Sequence, residues 1–383
     1  MVLSRFPYPL EKGDKLRAYH QIRCLSEQHE IFLAAMHDKP VTDEDLRQLE
    51  PFCKEIFLLD NNHLKRCWNM GRAFFKGLPI QCGLFYNKTN ARRLEEIVQK
   101  VQPDHIYCQL FRMAEYVKTM PLPKTLDYQD VFSKGMARRA ENARGLKRAL
   151  FRMEARRVAR YEEHLFDLFD HTTIITAVDR DLIPHPRNRE IAVVPNGVDF
   201  DQFTYHGETK SYDLIFSGNM GYAPNVDAAE YLATEILPPL LEGFPDMKLV
   251  LVGANPSARV RALRNEHVIV TGWVDTMADW YAQSKVFIAP MRMGTGLQNK
   301  LLEAMSMQLP CVTSPLAAKP LSGAETENAV CVCHNTHDYV EAIRQLLRNE
   351  EAYRQLAAAG HRFVHEHYDW QNATDKLLQI IAQ

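Results

Sequence analysis

A strand, a glycine-containing loop, a helix and a second strand follow one another between Phe287 and Thr313. The segment reads FIAPMRMGTGLQNKLLEAMSMQLPCVT, with an apolar run that ends before Pro290 and with Gly294 and Gly296 in the loop. This order constrains the segment to a β-α-β unit, in which two parallel strands are joined by a helix. The loop and the start of the helix offer free backbone N–H groups to a bound phosphate.

The helix of this segment carries residues that suit a nucleotide site. Lys300 lies in its first turn and adds positive charge near the predicted phosphate position. Glu303 lies one turn further on, where a carboxylate can accept hydrogen bonds from a pair of sugar hydroxyls. These features predict a nucleotide-sugar site, although an ordinary crossover helix with a solvated Lys and Glu fits the spacing equally well.

Short apolar strands alternate with amphipathic helices along the rest of the chain. We predict strands at 31–35, 55–59, 105–109, 124–127 and 173–176, and at 212–217, 247–253, 268–271, 286–289, 311–313 and 329–332. We also predict one helix over 224–244 and another over 277–284, with Asp275 as the N-cap of the second. Alternation of this kind predicts doubly wound parallel sheets, whose ligands lie at the carboxyl ends of the strands.

Size and composition restrict the kind of protein. The 383 residues suit two domains, and the contents of 46% hydrophobic and 25% charged residues are those of globular proteins. A net charge of −2 gives no electrostatic basis for nucleic-acid binding. We find neither a membrane span nor the apolar core of a signal peptide. The eight scattered cysteines, without a C-x-x-C pair, favour reduced thiols, no zinc site and a cytoplasmic protein.

The segment GLQNKLLEAMSMQLPCVTS resembles the donor-site segment of family 4 glycosyltransferases of the GT-B fold. Members of that family usually read Glu, seven residues, Glu, then Ala-Met-Ala and Gly-Lys-Pro-Val-Val. Glu303 matches the second Glu, which the family is expected to use on the ribose, whereas Thr295 stands in place of the first, which contacts the transferred sugar. The NK-LEAM variant, with Gly296 and Asn299, looks most like a bacterial subgroup tied to exopolysaccharide synthesis.

This resemblance implies an α/β fold of the GT-B architecture, with two Rossmann-like doubly wound parallel-sheet domains facing each other across a cleft. The acceptor-side domain would span 1–198 and the nucleotide-sugar domain 199–367, with a helix over 368–383 that returns to the first domain. The turn-rich segment PNGVD at the boundary resembles the interdomain segment of the family.

Other parts of the chain resemble the family's remaining donor-binding segments. Gly13 and Asp14 match the glycine-bearing first β-α loop, with Lys15 and Arg17 as additional positive charge. Gly218 precedes Asn219, which stands where many members have an arginine for the pyrophosphate. The segment TGWVDTMADWY matches the part that holds the nucleobase, which the indole of Trp273 would flank unless it is a core residue. The implied donor site consists of Gly13, Asp14, Gly218, Asn219, Trp273, Val274, Gly294, Thr295, Gly296, Leu297, Asn299 and Glu303.

Negative charge that develops on a leaving diphosphate has to be stabilised. Because the family's usual Arg–Lys pair is missing, we assign this role to Lys300, Arg292 and the N–H groups of the glycine loops, with no metal ion and no cofactor. Asp127 ends a predicted strand and Asp130 lies just after it, where functional carboxylates collect. Either residue could bind acceptor hydroxyls or orient basic groups, and we count Asp127 among the catalytic residues. His105 lies within an apolar strand, which favours a structural role.

The segment 133–160 is strongly basic. It contains Lys134, Arg138, Arg139, Arg144, Lys147, Arg148, Arg152, Arg156, Arg157 and Arg160, against Glu141 and Glu154. A basic amphipathic helix on a nearly neutral protein predicts docking on an anionic membrane, or an anionic acceptor such as a lipid pyrophosphate. A solvated helix balanced by acidic partners elsewhere is the alternative.

The resemblance implies a glycosyltransferase that moves a sugar from a nucleotide-diphosphate donor to a hydroxyl of a saccharide or lipid-linked acceptor, with retention of configuration. The product would be a polysaccharide or glycoconjugate. Two alternatives stay open. A sugar-nucleotide epimerase would need a pair of catalytic carboxylates, and a non-catalytic nucleotide-sugar-binding protein is compatible with the missing first Glu.

Overall fold

The computed structural model describes residues 1–37, 39–60, 63–141, 143–294 and 296–382, with the backbone alone for 63–66. The chain divides into two compact units, which we call the first and second domain. The first domain consists of Met1–Pro195 and Trp370–Gln383, and the second of Asn196–Asp369. The chain passes from the first to the second domain between Pro195 and Asn196, within the PNGVD segment. This boundary lies three residues before the one proposed from the sequence.

A parallel sheet forms the centre of the first domain, with strands in the order β3-β2-β1-β4-β5-β6-β7. The strands are β1 Val2–Leu3, β2 Phe32–His37, β3 Glu55–Asp60, β4 Ile106–Gln109, β5 Lys124–Asp127, β6 His171–Ile174 and β7 Ala192–Val193. The helices are α1 Gly13–Leu25, α2 Asp43–Arg47, α3 His63–Phe75, α4 Ile80–Phe85, α5 Lys88–Val101, α6 Ala114–Val117, α7 Phe132–Glu141, α8 Gly145–Phe166 and α9 Ala177–Arg180.

The second domain is built on another parallel sheet, in the order β10-β9-β8-β11-β12-β13. Its strands are β8 Tyr212–Ser217, β9 Leu249–Val252, β10 Val268–Gly272, β11 Ser284–Ala289, β12 Cys311–Thr313 and β13 Cys331–Val332. Its helices are α10 Ala223–Tyr231, α11 Leu237–Leu241, α12 Ala258–Arg261, α13 Met277–Ala282, α14 Asn299–Ser306, α15 Pro315–Ala318, α16 Thr336–Arg348 and α17 Glu350–His367. The four residues of β9 are all apolar and fully buried, as expected of a parallel strand covered on both faces.

The last helix, α18 at Trp370–Ile381, belongs to the first domain. Its residues Ala373 and Leu377 are buried in one apolar cluster with Ile22 of α1. The rings of Trp370 and His20 are stacked with centroids 4.9 Å apart. The apolar face of α18 therefore completes the core around α1.

Three local predictions are corrected by the structure. The predicted helix over 224–244 is interrupted by a π-helical segment at Leu232–Ile236, so α10 and α11 are separate. Thr276, not Asp275, is the N-cap of α13, and its side chain makes no capping hydrogen bond. The basic segment forms two helices, because the chain turns at Gly145 with φ 58°. No helix in the described part of the chain is long and apolar enough to span a bilayer.

Candidate functional site

The strand order of the second sheet reverses between β8 and β11. Doubly wound sheets bind their ligands at such a reversal, beyond the carboxyl ends of the strands. Here β8 ends at Ser217 and leads into Gly218, while β11 ends at Ala289 and leads through 290–298 into α14. The structure thus brings the two glycine-containing segments selected from the sequence to one edge of the sheet.

Lys300 connects these two segments. Its Nζ donates a hydrogen bond to Oδ1 of Asn225 (2.8 Å) and lies 4.4 Å from the ring centroid of Phe216. Burial of the ammonium group lowers the pKa of Lys300 to about 7, although Glu303 raises it in part. The residue as a whole is half-buried, while its ammonium is surrounded by protein atoms.

Gly218 and Gly253 allow the backbones after β8 and β9 to approach each other closely. A Cβ at Gly253 would lie 1.9 Å from the carbonyl oxygen of Gly218, and a Cβ at Gly218 would lie 2.7 Å from Nδ2 of Asn225 and 3.2 Å from Nζ of Lys300. Any side chain at Gly218 would therefore displace Asn225 or Lys300. Sequence reasoning selected Gly218 for access to a phosphate and missed Gly253 and Asn225.

Glu303 is held by a chain of hydroxyl groups. Oε2 of Glu303 accepts a hydrogen bond from the hydroxyl of Tyr281 (3.0 Å), which is also 2.7 Å from Oγ of Ser217. Burial raises the pKa of the Glu303 carboxyl, while the Tyr281 hydrogen bond and Lys300 oppose that rise. Tyr281 lies on α13, and no spacing in the sequence connects it with Glu303.

The loop before α14 contains the remaining donor residues of this segment. Asn299 opens the helix, and its Oδ1 accepts a hydrogen bond from Nδ2 of Asn196 (3.2 Å). The N-cap residue Gln298 makes no side-chain capping bond, so the first N–H groups of α14 have no cap from it. Leu297 is half-buried against the core of the domain. The predicted residues Gly294 and Gly296 lie in this loop, while Thr295 lies outside the described residues.

The nucleobase residues predicted from the sequence lie at the end of β10. The side chain of Trp273 is 65% exposed, so the alternative of a core indole is wrong. Val274 is half-buried against the core of the domain. Gly272 accepts a backbone hydrogen bond from Gly253, which connects this strand end with the Gly218 segment. Asn219 is exposed beside it.

Arg292 forms ion pairs with two acidic residues of the same domain. Its guanidinium forms two hydrogen bonds with Asp227 (3.0 and 2.9 Å), lies 3.7 Å from Glu235 and stacks 4.3 Å from the ring centroid of Tyr231. Its positive charge is therefore compensated within the protein. These contacts do not support the predicted catalytic role, which stays a prediction, and they make Lys300 the better candidate for the diphosphate.

In the first domain, Gly13 and Asp14 open α1. The carboxylate of Asp14 pairs with Arg5, and the backbone carbonyl of Asp14 accepts a hydrogen bond from Nε2 of Gln109 (3.1 Å). Gln109 ends β4, and the strand order reverses between β1 and β4. The predicted pair thus lies at the reversal point of the first sheet.

Asp127 forms a buried ion pair with Arg17. Nε and Nη2 of Arg17 lie 2.7 and 3.2 Å from the carboxylate oxygens, and neither side chain has exposed surface. Thr173 donates a further hydrogen bond to Asp127 (3.0 Å). Burial alone lowers the pKa of Arg17, but Asp127 reverses this and the net pKa is raised. The predicted catalytic role of Asp127 has no support here, because a side chain without exposed surface contacts no substrate.

Three acidic residues lie near the carboxyl ends of β5 and β6. Glu162 is fully buried and accepts a hydrogen bond from the N–H of Ser133 (3.2 Å), and Asp179 accepts one from the hydroxyl of Thr176 (2.6 Å). Burial raises the pKa of Asp130, of Glu162 to about 7 and of Asp179 to about 6. The sequence selected Asp130 alone, because Glu162 and Asp179 lie on helices without a motif.

Glu162→Gln is expected to stabilise the protein at pH 8 and to have less effect as the pH falls toward 5. The folded-state pKa of Glu162 is raised, so the wild type loses stability as pH rises from the ordinary carboxyl pKa to about 7, on the order of 1 kcal/mol per pH unit. Urea unfolding at several pH values measures this. A difference that is constant with pH would show that Glu162 does not titrate in this range.

Two other predictions involve His105 and metal binding. Nε2 of His105 is 2.8 Å from Oγ1 of Thr125, and burial lowers its pKa to about 4, which agrees with the structural role. The expectation of no metal ion assumed that the chain has no Asp-x-Asp motif. This assumption is wrong, because three such triplets occur, at 43–45, 179–181 and 199–201. In the second triplet, Asp179 is buried and its carboxylate accepts a hydrogen bond from the hydroxyl of Thr176. The assignment of no metal to the diphosphate stays a prediction.

A pocket of about 700 Å³ lies elsewhere on the second domain and contains none of the predicted residues. Its lining includes Lys210, Asp213 and Lys285, and the last two stand at the amino ends of β8 and β11. Because ligands of doubly wound sheets bind at the carboxyl ends, we place the candidate site at the Gly218 edge.

Part of the chain is similar to known glycosyltransferases. Residues 211–349, most of the second domain, match the family model of glycosyl transferases group 1. An uncharacterized 44.6 kDa protein in the cps region of Klebsiella pneumoniae is 21% identical over 96% of both chains. A phosphatidyl-myo-inositol mannosyltransferase of Mycobacterium leprae is 27% identical over 49% of this chain and 52% of that protein. The matched family and the mycobacterial relative support a glycosyltransferase.

Solved structures resemble the whole chain. Sucrose-phosphate synthase from Thermosynechococcus elongatus superposes with a TM-score of 0.70 at 13% identity, over 100% of this chain and 98% of that one. HepE from Anabaena, in complex with UDP and glucose, gives 0.68 at 11% identity, with the same coverage. The chain has the GT-B fold. The predicted fold class is thereby confirmed.

Proposed function

We propose that this protein is a family 4 glycosyltransferase that moves a sugar from a nucleotide-diphosphate donor to a hydroxyl of a saccharide or lipid-linked acceptor. The observation that carries the proposal is the arrangement of Lys300 and Glu303 beside Gly218 at the reversal point of the second sheet. Lys300 would bind the diphosphate, and Glu303 the ribose hydroxyls one helical turn away. HepE, a structural neighbour, binds UDP-glucose, which supports a donor of this class.

The chemistry needs stabilisation of the leaving diphosphate. The ammonium of Lys300 and the N–H groups at the start of α14 supply it in this proposal, without a metal ion and with retention of configuration. The free thiols of all eight cysteines favour a reducing compartment, and we propose action in the cytoplasm. The similarity to a protein of a cps region supports exopolysaccharide or another glycoconjugate as the product. Among the residues of this site that the structure describes, no contact favours the epimerase or a non-catalytic binding protein.

The proposal is tested first by nucleotide binding. Thermal-shift assays with UDP, GDP and ADP measure the unfolding temperature in the presence of each nucleotide. At least one of them should raise it, because a ligand that binds the folded state stabilises it by mass action. Transfer assays with sugars on the nucleotide that binds then separate an enzyme from a binding protein. Failure of all three nucleotides would contradict the proposal.

Glu303→Gln is expected to weaken nucleotide binding by about 1–3 kcal/mol, the range for a hydrogen bond to a charged group. Tyr281→Phe should weaken binding less, because Tyr281 positions Glu303 through a 3.0 Å hydrogen bond without contacting the ribose. Isothermal calorimetry measures both, and Glu350→Gln, on the surface of the same domain, is the matched control. An unchanged affinity in Glu303→Gln would remove this residue from the site.

A further inference from the structure

Large apolar side chains are exposed together on two helices of the first domain. Trp68 and Phe75 on α3 are 79% and 88% exposed, and Leu146 at the start of α8 is 87% exposed. Phe74 and Leu150 on the same helices are also exposed. Soluble proteins rarely expose such residues in groups, and a group of this kind marks an interaction surface.

The two helices contact each other through one arginine and one aromatic ring. The guanidinium of Arg157 on α8 lies 4.4 Å from the ring centroid of Phe74 on α3, and the ring of Phe74 meets that of Phe75 edge-on at 5.6 Å. On α3, Trp68, Arg72 and Phe75 are all exposed and are spaced by four and three residues, so they share one helix face. The exposed face of α3 therefore combines two aromatic rings with a positive charge.

An arginine stripe runs along α8. Arg148, Arg152, Arg156 and Arg160 follow one another at four-residue intervals, and all four are exposed. None of the four makes a hydrogen bond or ion pair with a described residue. Like charges at this spacing destabilise an isolated helix, so the stripe costs stability until an anionic partner compensates it.

Acidic residues are missing from α3 and from the first part of α8, before Glu154. No Asp or Glu occurs between Asp60 and Glu95, or between Glu141 and Glu154. Sequence analysis identified the basic segment 133–160 and missed α3, whose exposed aromatics only the structure reveals. It listed Arg157 among the basic residues of that segment, and the structure shows that Arg157 packs on Phe74.

We infer that α3 and α8 form a docking surface for an anionic membrane, in which Trp68, Phe75 and Leu146 enter the interface and the arginine stripe binds lipid headgroups. Aromatic side chains favour the headgroup region, and unpaired arginines are attracted to anionic lipid. Charge alone would suit any polyanion, but exposed apolar side chains on the same helix and on the helix it contacts suit a lipid surface. The inference does not depend on the proposed donor site, which lies in the other domain.

Sedimentation with vesicles tests this surface. The full-length protein should bind vesicles of phosphatidylcholine mixed with phosphatidylserine far better than phosphatidylcholine alone, and salt should release it, because screening acts within about 8–10 Å at moderate ionic strength. Two variants should each weaken vesicle binding by more than about tenfold. One replaces Trp68 and Phe75 with alanine, and the other replaces the four stripe arginines with glutamine.

A matched control separates position from net charge. Glutamine at Arg47, Arg189, Arg259 and Arg354, whose side chains are 66–70% exposed, removes the same charge away from the stripe and should leave vesicle binding intact. UDP affinity and the unfolding temperature of every variant show whether the fold and the donor site survive. The inference is overturned if the wild type ignores anionic vesicles at low salt, or if the control variant loses binding as much as the stripe variant. Binding that is equal for neutral and anionic vesicles would remove the arginine stripe from it.

Discussion

Replacing Asp127 with alanine is expected to lower the free energy of unfolding by about 3–5 kcal/mol, because it leaves a buried guanidinium without its carboxylate. Arg17 and Asp127 have no exposed surface and lie 2.7 Å apart, so solvent cannot replace the lost partner. Urea unfolding followed by circular dichroism measures the change. Stability equal to the wild type would show that the pair contributes little to the fold.

Two further variants separate this structural role from a catalytic one. Arg17→Met combined with Asp127→Leu should recover much of the lost stability, since an apolar pair of similar volume often replaces a buried ion pair without cost. Asp127→Asn keeps an oxygen that can accept hydrogen bonds from Arg17 and Thr173, and it should be less destabilised than the alanine variant. If Asp127→Asn were as stable as the wild type and lost all transfer activity, the catalytic role predicted from the sequence would be restored.

Lys300→Met is expected to weaken UDP binding by roughly 30- to 100-fold, about 2–3 kcal/mol, while uridine binding changes little. The ammonium lies beside Gly218, where a diphosphate can approach it, whereas the nucleoside gains nothing from that charge. Arg292→Met is the matched control, and it should change UDP affinity only slightly because Asp227 and Glu235 already compensate Arg292. Equal losses for UDP and uridine in Lys300→Met would indicate a structural effect.

The same lysine should make UDP binding depend on pH. Its pKa is lowered to about 7 in the free protein, and a bound diphosphate favours the ammonium form, so the pKa in the complex is higher. Binding therefore takes up a proton above pH 7, and affinity should fall by up to about tenfold per pH unit until the pKa of the complex is reached. Calorimetry in buffers of different ionisation enthalpy detects this proton, and Lys300→Met should abolish it. No proton uptake in the wild type would show that UDP binding does not change the protonation of Lys300 in this pH range.

Much of the second domain was predictable because its strands are buried on both faces. The bounds predicted for 212–217 and 311–313 are those of β8 and β12, since a continuous apolar run between turn residues leaves little choice of strand ends. The helix predicted over 224–244 was less accurate, because its apolar pattern does not reveal the π-helical segment at Leu232–Ile236. The short helices α2, α4 and α6 carry too few residues for a period to be recognised.

The candidate site was predictable to the extent that it is local. Gly218, Lys300 and Glu303 follow or precede strands that periodicity identifies, and the topology then brings them to one edge. Their partners were not predictable, because Asn225 lies 75 residues from Lys300, and Tyr281 lies 22 residues from Glu303, in other elements.

By itself, the sequence determined two parallel doubly wound sheets and the strand ends where a ligand can bind, since these depend on apolar period and turn residues along the chain. Only the tertiary structure decided which positively charged side chains are already paired with a carboxylate within the protein. Arg17 pairs with Asp127 across 110 residues and Arg292 pairs with Asp227 across 65. Lys300 instead donates to the neutral carboxamide oxygen of Asn225 and lies 4.0 Å from the thioether sulfur of Met291. The physical reason is that an ion pair depends on distance and desolvation in three dimensions, and neither follows from spacing in the sequence.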